Sequence, residues 1–239
     1  MEKKPPNNEM HEEYFRLVAL VKTCAKKKDL CNGTRLHNEI LRRGLLRKNP
    51  FLASTLISMY SKCGSLVKAR KVLEELPVLE VVSLNALISG YSQQGLGYEA
   101  LDCFERMQRE GISPNGVTFS CTLKSCAHVK AIDKGLMIHE EIAKRGLLNE
   151  DIVLGNALVD MYAKCGMLLE ARQVLIGLPF RNVVSWSALI AGYAQQGQGH
   201  EALNCFEQMQ NDGLSPDMIT FICLLKACGS IGAVDKGEQ

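Results

Sequence analysis

The chain has 239 residues, 46% of them hydrophobic and 23% charged, with a formal net charge of +2 and a pI near 8.0. This is the make-up of a folded globular chain, and no apolar run approaches the ~18 residues that span a bilayer. Such a charge permits nucleic acid as a partner without the strong basic excess that would announce one.

The chain opens "MEKKPPNNEMHEEYF", with no apolar core before Tyr14, so this stretch does not read as a secretory signal. It is acidic, with Glu2, Glu9, Glu12 and Glu13, unlike an Arg- and Ser-rich organelle transit peptide. An import signal either lies upstream of this chain or is not used. Residues 1–13 are expected to form a disordered tail.

From Tyr14 onward the chain divides into units of unequal length. In order they cover 14–49, 50–80, 81–115, 116–151, 152–182, 183–217 and 218–239. Their lengths run 36, 31, 35, 36, 31 and 35 residues, and the last unit begins another 36-residue unit that ends early at "KGEQ". Sliding the chain by 102 residues aligns 81–115 with 183–217 at 23 identities in 35 positions. "MYSKCG" at 59–64 returns as "MYAKCG" at 161–166, and "LKSC" at 123–126 returns as "LKAC" at 225–228. Fixed-period self-similarity of this kind is the mark of a repeat architecture.

Each unit reads as two helices. In 81–115, Leu84, Leu87, Ile88 and Tyr91 form one apolar stripe at helical spacing, and Ala100, Leu101, Phe104 and Met107 form a second. Gly95 and Gly97 separate them, and Gly111 with Pro114 ends the second. Asp102/Arg106 and Glu105/Arg109 stand at i,i+4 on the outer face. One hairpin cannot bury both stripes, so neighbouring hairpins must stack. The expected fold is an all-α solenoid of helix-turn-helix repeats, forming a single domain over 14–239. The unfinished last unit is expected to expose an apolar face and fray.

Beside the apolar stripe, Asn85, Ser89 and Ser92 recur at i, i+4 and i+7. Small polar side chains there let a flat base approach and offer hydrogen bonds. Asn presents donor and acceptor, and Ser a hydroxyl that serves as either. In the second copy Ser187 replaces Asn85 while the scaffold residues stay. Drift on a solvated face would permit the same exchange.

Cysteines and histidines invite a metal reading, but their spacing argues against it. Cys63/Cys165, Cys103/Cys205, Cys121/Cys223 and Cys126/Cys228 are each one period apart, as are His37 and His139. Cys24 takes the phase of Cys126, and no C-x-x-C occurs. These cysteines are expected as core residues, with no metal and no cofactor. No catalytic constellation stands out, so an enzyme is not expected. Trp186, the only Trp, stands where Leu84 stands in the preceding copy, and is expected in the core rather than as a stacking platform.

"NALISGYSQQG…EALDCFERMQREGISPN", "MYAKCG…ARQVL" and "VTFSCTLKSCA…GLMIHEEIAKRGL" resemble the pentatricopeptide repeats of land plants in which P, L and S variants alternate. The resemblance covers 14–239, in the order L, S, P, L, S, P and a partial L. It implies a right-handed superhelix whose first helices face single-stranded RNA, roughly one base per repeat. The family's readers are the fifth and last residues of a unit, with the second as an apolar wedge. Carried across, Asn85 with Asn115 and wedge Val82 implies a pyrimidine. Asn156 with Asn182 and wedge Val153 implies the same, and Ser187 with Asp217 and wedge Val184 implies guanine. Ser54 pairs with Glu80, longer than the usual partner, and that assignment stays open. Ser120 with Asp151 would read guanine if L units followed the same rule, which they follow poorly. Val18 and Ile222 at the fifth position cannot hydrogen-bond a base. Lys62 and Lys164, at matching places near the end of a first helix, read either as phosphate contacts or as cations suited to a helix C-terminus.

The resemblance further implies a mitochondrial or chloroplast protein in RNA metabolism, such as site recognition for C-to-U editing. Many relatives in this order carry an H-x-E…P-C-x-x-C deaminase segment, absent from this chain, which resembles a truncated product or fragment. L units of relatives dock editing-complex proteins, so a protein-binding helical scaffold is the alternative function.

Overall fold

In a computed structural model the chain is described over residues 6–46 and 50–232. Thirteen α-helices make up the described residues, with no strand among them. They pair as hairpins: α1 (Pro6–Lys27) with α2 (Leu30–Arg42), α3 (Pro50–Lys62) with α4 (Leu66–Glu74), and α5 (Val81–Gln93) with α6 (Gly97–Arg109). After α7 (Gly116–Val129) and α8 (Ile132–Lys144) comes a short 3-10 turn, Leu147–Asn149. Then follow α9 (Ile152–Cys165), α10 (Leu168–Gly177), α11 (Val183–Gln195), α12 (Gly199–Asn211) and α13 (Met218–Ser230). Helices α3, α5, α7, α9, α11 and α13 start at the residues where the repeat units begin.

Helix α1 starts at Pro6, so residues 6–13, expected in a disordered tail, are helical. Pro suits a first helical position, where its missing N–H is no loss and its φ is preset. In this extension Glu13 forms an ion pair with Arg43, the C-cap of α2. Residues 1–5 of that tail, and 47–49 at the end of the first unit, lie outside the described residues.

Contacts divide the chain into two compact units, residues 1–118 and 119–239. In the first unit α1, α3 and α5 pack side by side, each backed by its own second helix. In the second, α9, α11 and α13 form the same row, backed by α10 and α12. Within the units α2, α4, α8, α10 and α12 also touch the first helix that follows them. The architecture of each unit is therefore a solenoid of stacked helical hairpins.

The apolar stripes fill the space between the two layers. Leu84, Leu87, Ile88, Ala100 and Met107 are fully buried, with Tyr91, Leu101 and Phe104 nearly so. The turn closing α5 uses Gly95 at φ 75°, and the one closing α11 uses Gly197 at φ 72°, a region where a side chain would be strained. On α6, Arg106 pairs with Glu110 at 2.9 Å instead of with Asp102. The i,i+4 arrangement is thus used one turn later, where the cation also faces the helix C-terminus.

The cysteines divide: Cys63, Cys121, Cys165 and Cys223, expected in the core, are only partly buried, and Cys31 is exposed. Cys24, Cys103, Cys126, Cys205 and Cys228 are buried, and none of the ten is in a disulfide. Burial pushes the Cys103 thiol up to about 11. It takes those of Cys126 and Cys205 up to about 12. A thiol so disfavoured as thiolate is a poor nucleophile and a poor metal ligand. No cluster of three or more His, Cys, Asp or Glu that could hold a metal occurs among the described residues. His37 and His139 make the same interaction one period apart, Nδ1 lying 2.9 Å from the Tyr60 hydroxyl and 2.8 Å from that of Tyr162. Burial pushes both imidazoles below their ordinary pKa. They are packing residues tying a second helix to the next first helix. Trp186 is 3% exposed, and its indole N–H donates to Asp212 at 2.9 Å. It is a core residue.

Candidate nucleic-acid interface

Helices α3 and α11 have neighbours on three sides: a first helix on either flank, and second helices behind them. The fourth side carries the second, fifth, sixth and ninth residues of the unit, which one helical face collects at i, i+3, i+4 and i+7. In the first unit these faces of α1, α3 and α5 line one open groove of about 650 Å³. Asn85 and Ser89 line it with Val82, Ser54, Phe51 and Lys62; Ser92 does not.

The second residues stand exposed: Val82 47%, Val153 56% and Val184 59%. Phe51, Val117 and Ile219 hold the same place in their units and are exposed too. These three were missed by sequence reasoning, although the register that picked out the valines also picks them out. Fifth residues sit lower. Ser54, Asn85, Ser120 and Ser187 are 6–8% exposed, and Asn156 is half-buried.

The last residue of each unit caps the next first helix, which draws it back toward the fifth. Asn115 lies before α7, and its Oδ1 accepts from the backbone N–H of Thr118 at 3.1 Å. That same Oδ1 accepts from Asn85 Nδ2 at 3.0 Å, and the Thr118 hydroxyl donates to Asn85 Oδ1 at 2.6 Å. In the second copy, Asp217 Oδ1 accepts from the Thr220 backbone at 2.8 Å and from its hydroxyl at 2.7 Å. The Thr220 hydroxyl in turn lies 2.6 Å from Ser187 Oγ. The Thr220 backbone bond, followed by its hydroxyl, holds the Asp217 carboxyl below its ordinary pKa. The structure therefore brings together Asn85 with Asn115, and Ser187 with Asp217, through a threonine that sequence reasoning did not single out. Its signal was present: Thr118 and Thr220 are one period apart.

The other pairs are not joined in this way. Glu80 precedes α5 without a side-chain cap bond, Ser83 Oγ is buried without a partner, and Ser54 donates to the Phe51 carbonyl. Glu is one methylene too long to cap as Asn or Asp does. Asp151 caps α9 by accepting from Val153 and Leu154 backbone N–H groups, and Leu154 offers no hydroxyl to reach Ser120. Asn182 forms a capping box with Ser185, whose hydroxyl turns to the Asn182 carbonyl. Asn156 Oδ1 is left buried without a partner.

The two lysines part company. Lys62 lines the groove. Lys164 is paired with Asp160 at 2.8 Å, an i,i+4 contact for which the first copy has Ser58 in place of an acid. Lys22 and Lys26 of α1 also line the groove, Lys22 lying 5.3 Å above the Phe51 ring. Both were absent from the sequence expectation because their unit carries the apolar Val18 at its fifth position; Val18 is 5% exposed.

Comparison with known proteins bears on this geometry. A model described as the PPR repeat family matches residues 79–128 and 181–230, and one described as the PPR repeat matches 52–80 and 156–181. Together they span more than half of the chain. A pentatricopeptide repeat-containing protein of Arabidopsis thaliana, named as mitochondrial, is 41% identical over 221 residues, 92% of this chain and 35% of that protein. A chloroplastic one from the same plant is 40% identical over 215 residues, 90% of this chain and 34% of its own length. This chain thus spans about a third of the length of the curated relatives it matches. Among solved structures, the pentatricopeptide repeat protein PPR10 in complex with an 18-nt psaJ RNA element superposes with a TM-score of 0.73 at 19% identity, over 92% of this chain and 33% of that one. The same protein from maize, in a further crystal structure, gives 0.69 at 22% identity, over 93% and 33%. The family-model matches are to repeat units. Its period, its stacked hairpins and both repeat models agree: the chain belongs to the pentatricopeptide repeat family.

Proposed function

We propose that this chain binds single-stranded RNA with sequence selectivity, roughly one base per repeat, in an organelle. One observation carries the reading. In both 35-residue units the fifth and last side chains, thirty residues apart, share one hydrogen-bonded cluster beside an exposed valine. A base resting against Val82 or Val184 would present its edge to that cluster. The PPR10 structure holding an RNA element supports the partner, and the compartments in the relatives' names support the location. Units 81–115 and 152–182 are assigned a pyrimidine, and 183–217 guanine. Within C-to-U editing the segment would supply the address, with deamination carried out elsewhere. Its L units would dock accessory proteins.

RNA selection with the purified chain tests this. The double substitution Asn85→Ser with Asn115→Asp converts the first reader to the second's residues. It is expected to shift one position of the selected sequence from pyrimidine to guanine. The change should amount to about 1 kcal/mol, the low end for a base-reading pair. Recovery of no preferred sequence by the unaltered chain would rule the reading out in favour of a protein-binding scaffold.

The lysines give a second test. Lys62→Ala is expected to weaken RNA binding uniformly across sequences and to reduce the slope of log affinity against log salt by about 0.7, the single-strand value per phosphate. Lys164→Ala, already neutralised by Asp160, should change the slope by less. Equal slopes for both variants and the parent would remove the phosphate role.

A further inference from the structure

Thr118 and Thr220 belong to the L units, yet each bonds to the reader pair of the P unit before it. Proton counting at these clusters has a consequence for which base each accepts. It rests on the RNA-binding reading above.

Consider Ser187, Asp217 and Thr220. A carboxylate only accepts, so the 2.7 Å contact between Thr220 Oγ1 and Asp217 Oδ1 uses the single proton of the threonine hydroxyl. Thr220 then has only lone pairs to offer Ser187, and the 2.6 Å contact between them is donated by Ser187. The serine proton is spent. What remains for a base is the lone pairs of Ser187 Oγ and the second carboxylate oxygen of Asp217. The cluster presents acceptors, which complement the N1–H and N2–H₂ donors of guanine.

Now consider Asn85, Asn115 and Thr118. The Thr118 backbone N–H can only donate, which fixes Oδ1 as the atom of Asn115 turned toward it. Asn85 Nδ2 donates to that same oxygen. Asn85 must then turn its Oδ1 to the Thr118 hydroxyl, which donates at 2.6 Å. Neither amide can flip without opposing two donors or two acceptors. The Asn115 amide NH₂ and the second proton of Asn85 Nδ2 remain, a set of donors. They complement the O2 and N3 or O4 acceptors of a pyrimidine.

We propose that Thr118 and Thr220 are specificity-determining positioning residues: the Thr220 hydroxyl takes the Ser187 proton and leaves acceptors for the base, while the Thr118 backbone N–H turns Asn115, and through it Asn85, to offer donors. The remaining junctions agree. Where the third residue of the next unit is Leu154, or a serine turned elsewhere as Ser185 is, the fifth side chain is not joined to the last. A P unit is therefore read together with the first turn of the L unit behind it.

Thr220→Val keeps the shape and the backbone cap to Asp217, and removes only the hydroxyl. The measurement uses four RNAs that differ only at the nucleotide assigned by selection to unit 183–217. Released from Thr220, Ser187 can donate as well as accept. The ratio of guanine to adenine affinity is expected to fall about fivefold, the worth of one net hydrogen bond, with affinity for adenine RNA unchanged or raised. Thr118→Val, read at the nucleotide of unit 81–115, keeps the backbone N–H that orients both asparagines and should leave the pyrimidine preference unchanged; Thr220→Ala, with its higher helix propensity, serves if the valine variant loses helical signal. A uniform loss for all four bases or an unchanged guanine-to-adenine ratio in Thr220→Val, or a lost pyrimidine preference in Thr118→Val, overturns the proposal. A parent chain with no base preference at either nucleotide overturns the RNA-reading assignment itself, an outcome visible before any variant is made.

Discussion

Gly192→Leu is expected to collapse the second unit's row of first helices. Helix α11 packs against α9 with no room between them. A Cβ built on Gly192 would stand 2.9 Å from Ala163 Cβ and 2.8 Å from a Leu168 methyl. Leu168 can swing aside, but Ala163 Cβ is fixed to its backbone, so one helix must move. Gly192→Ala sets two effects against each other. Helix propensity favours alanine by about 1 kcal/mol, while overpacking costs about 1–3 kcal/mol. Because the contact is backbone-anchored and the site lies mid-helix, overpacking is expected to win, with a net loss of about 1–2 kcal/mol. Leucine adds three more carbons with nowhere to go and should cost more than 3 kcal/mol. Urea unfolding followed by circular dichroism measures both. A stabilised Gly192→Ala protein would mean the helices part more easily than the geometry allows. Gly90 holds the equivalent place in the first unit, its built Cβ 2.7 Å from Ser61 Cβ, so the same substitutions there should behave alike.

Much of this fold was legible because a solenoid writes its period into the sequence. Leu84, Leu87, Ile88 and Tyr91 gave the buried stripe, and the same letters 102 residues later gave the register. Recurrence placed Cys24, Cys103, Cys126, Cys205 and Cys228 in the core correctly, but Cys63, Cys121, Cys165 and Cys223 are only partly buried. What stayed hidden depends on contacts that cross a unit boundary. Asn85 and Asn115 were paired on resemblance, but nothing in their spacing reveals the Thr118 hydroxyl between them, because it comes from the next unit's first turn. Lys62 and Lys164 looked equivalent until position i−4 was compared: Ser58 leaves one lysine lining the groove, and Asp160 neutralises the other. The N-terminal helix escaped notice for a different reason. Residues 6–13 are polar and show no apolar period. Their helix continues α1 toward the N-terminus, with Glu13 paired to Arg43 of α2's C-cap, a tertiary contact that local pattern does not carry.

The second large effect is expected at Trp186, which stands in the second P unit where the first has Leu84. Leu84 fills this position in the first copy and is fully buried. In the second, the indole fills it and also donates to Asp212, whose carboxylate is bonded by Arg181 through Nε at 2.7 Å and a second nitrogen at 3.0 Å. Trp186→Ala should cost about 3–5 kcal/mol, as expected for emptying an aromatic site. Three substitutions separate the causes. Trp186→Phe keeps most of the ring and loses the bond to a half-exposed carboxylate, so its cost should stay near 1 kcal/mol. Trp186→Leu restores the residue of the first copy, but in a cavity shaped for indole, and should fall between the two. Asp212→Asn should lower stability modestly near neutral pH. Its arginine pair is partly solvated, and such pairs contribute little. The pH dependence follows from the same contacts. Arg181, foremost, and then Trp186 hold the Asp212 carboxyl below its ordinary 3.8. That stability is present in full above the unfolded value and is lost as pH falls through the depressed one. Parent and Asp212→Asn stabilities should therefore converge in acid. If Trp186→Phe proved as costly as Trp186→Ala, the hydrogen bond and not the packing would hold this part of the solenoid, and the Leu84 copy would have to find its stability elsewhere.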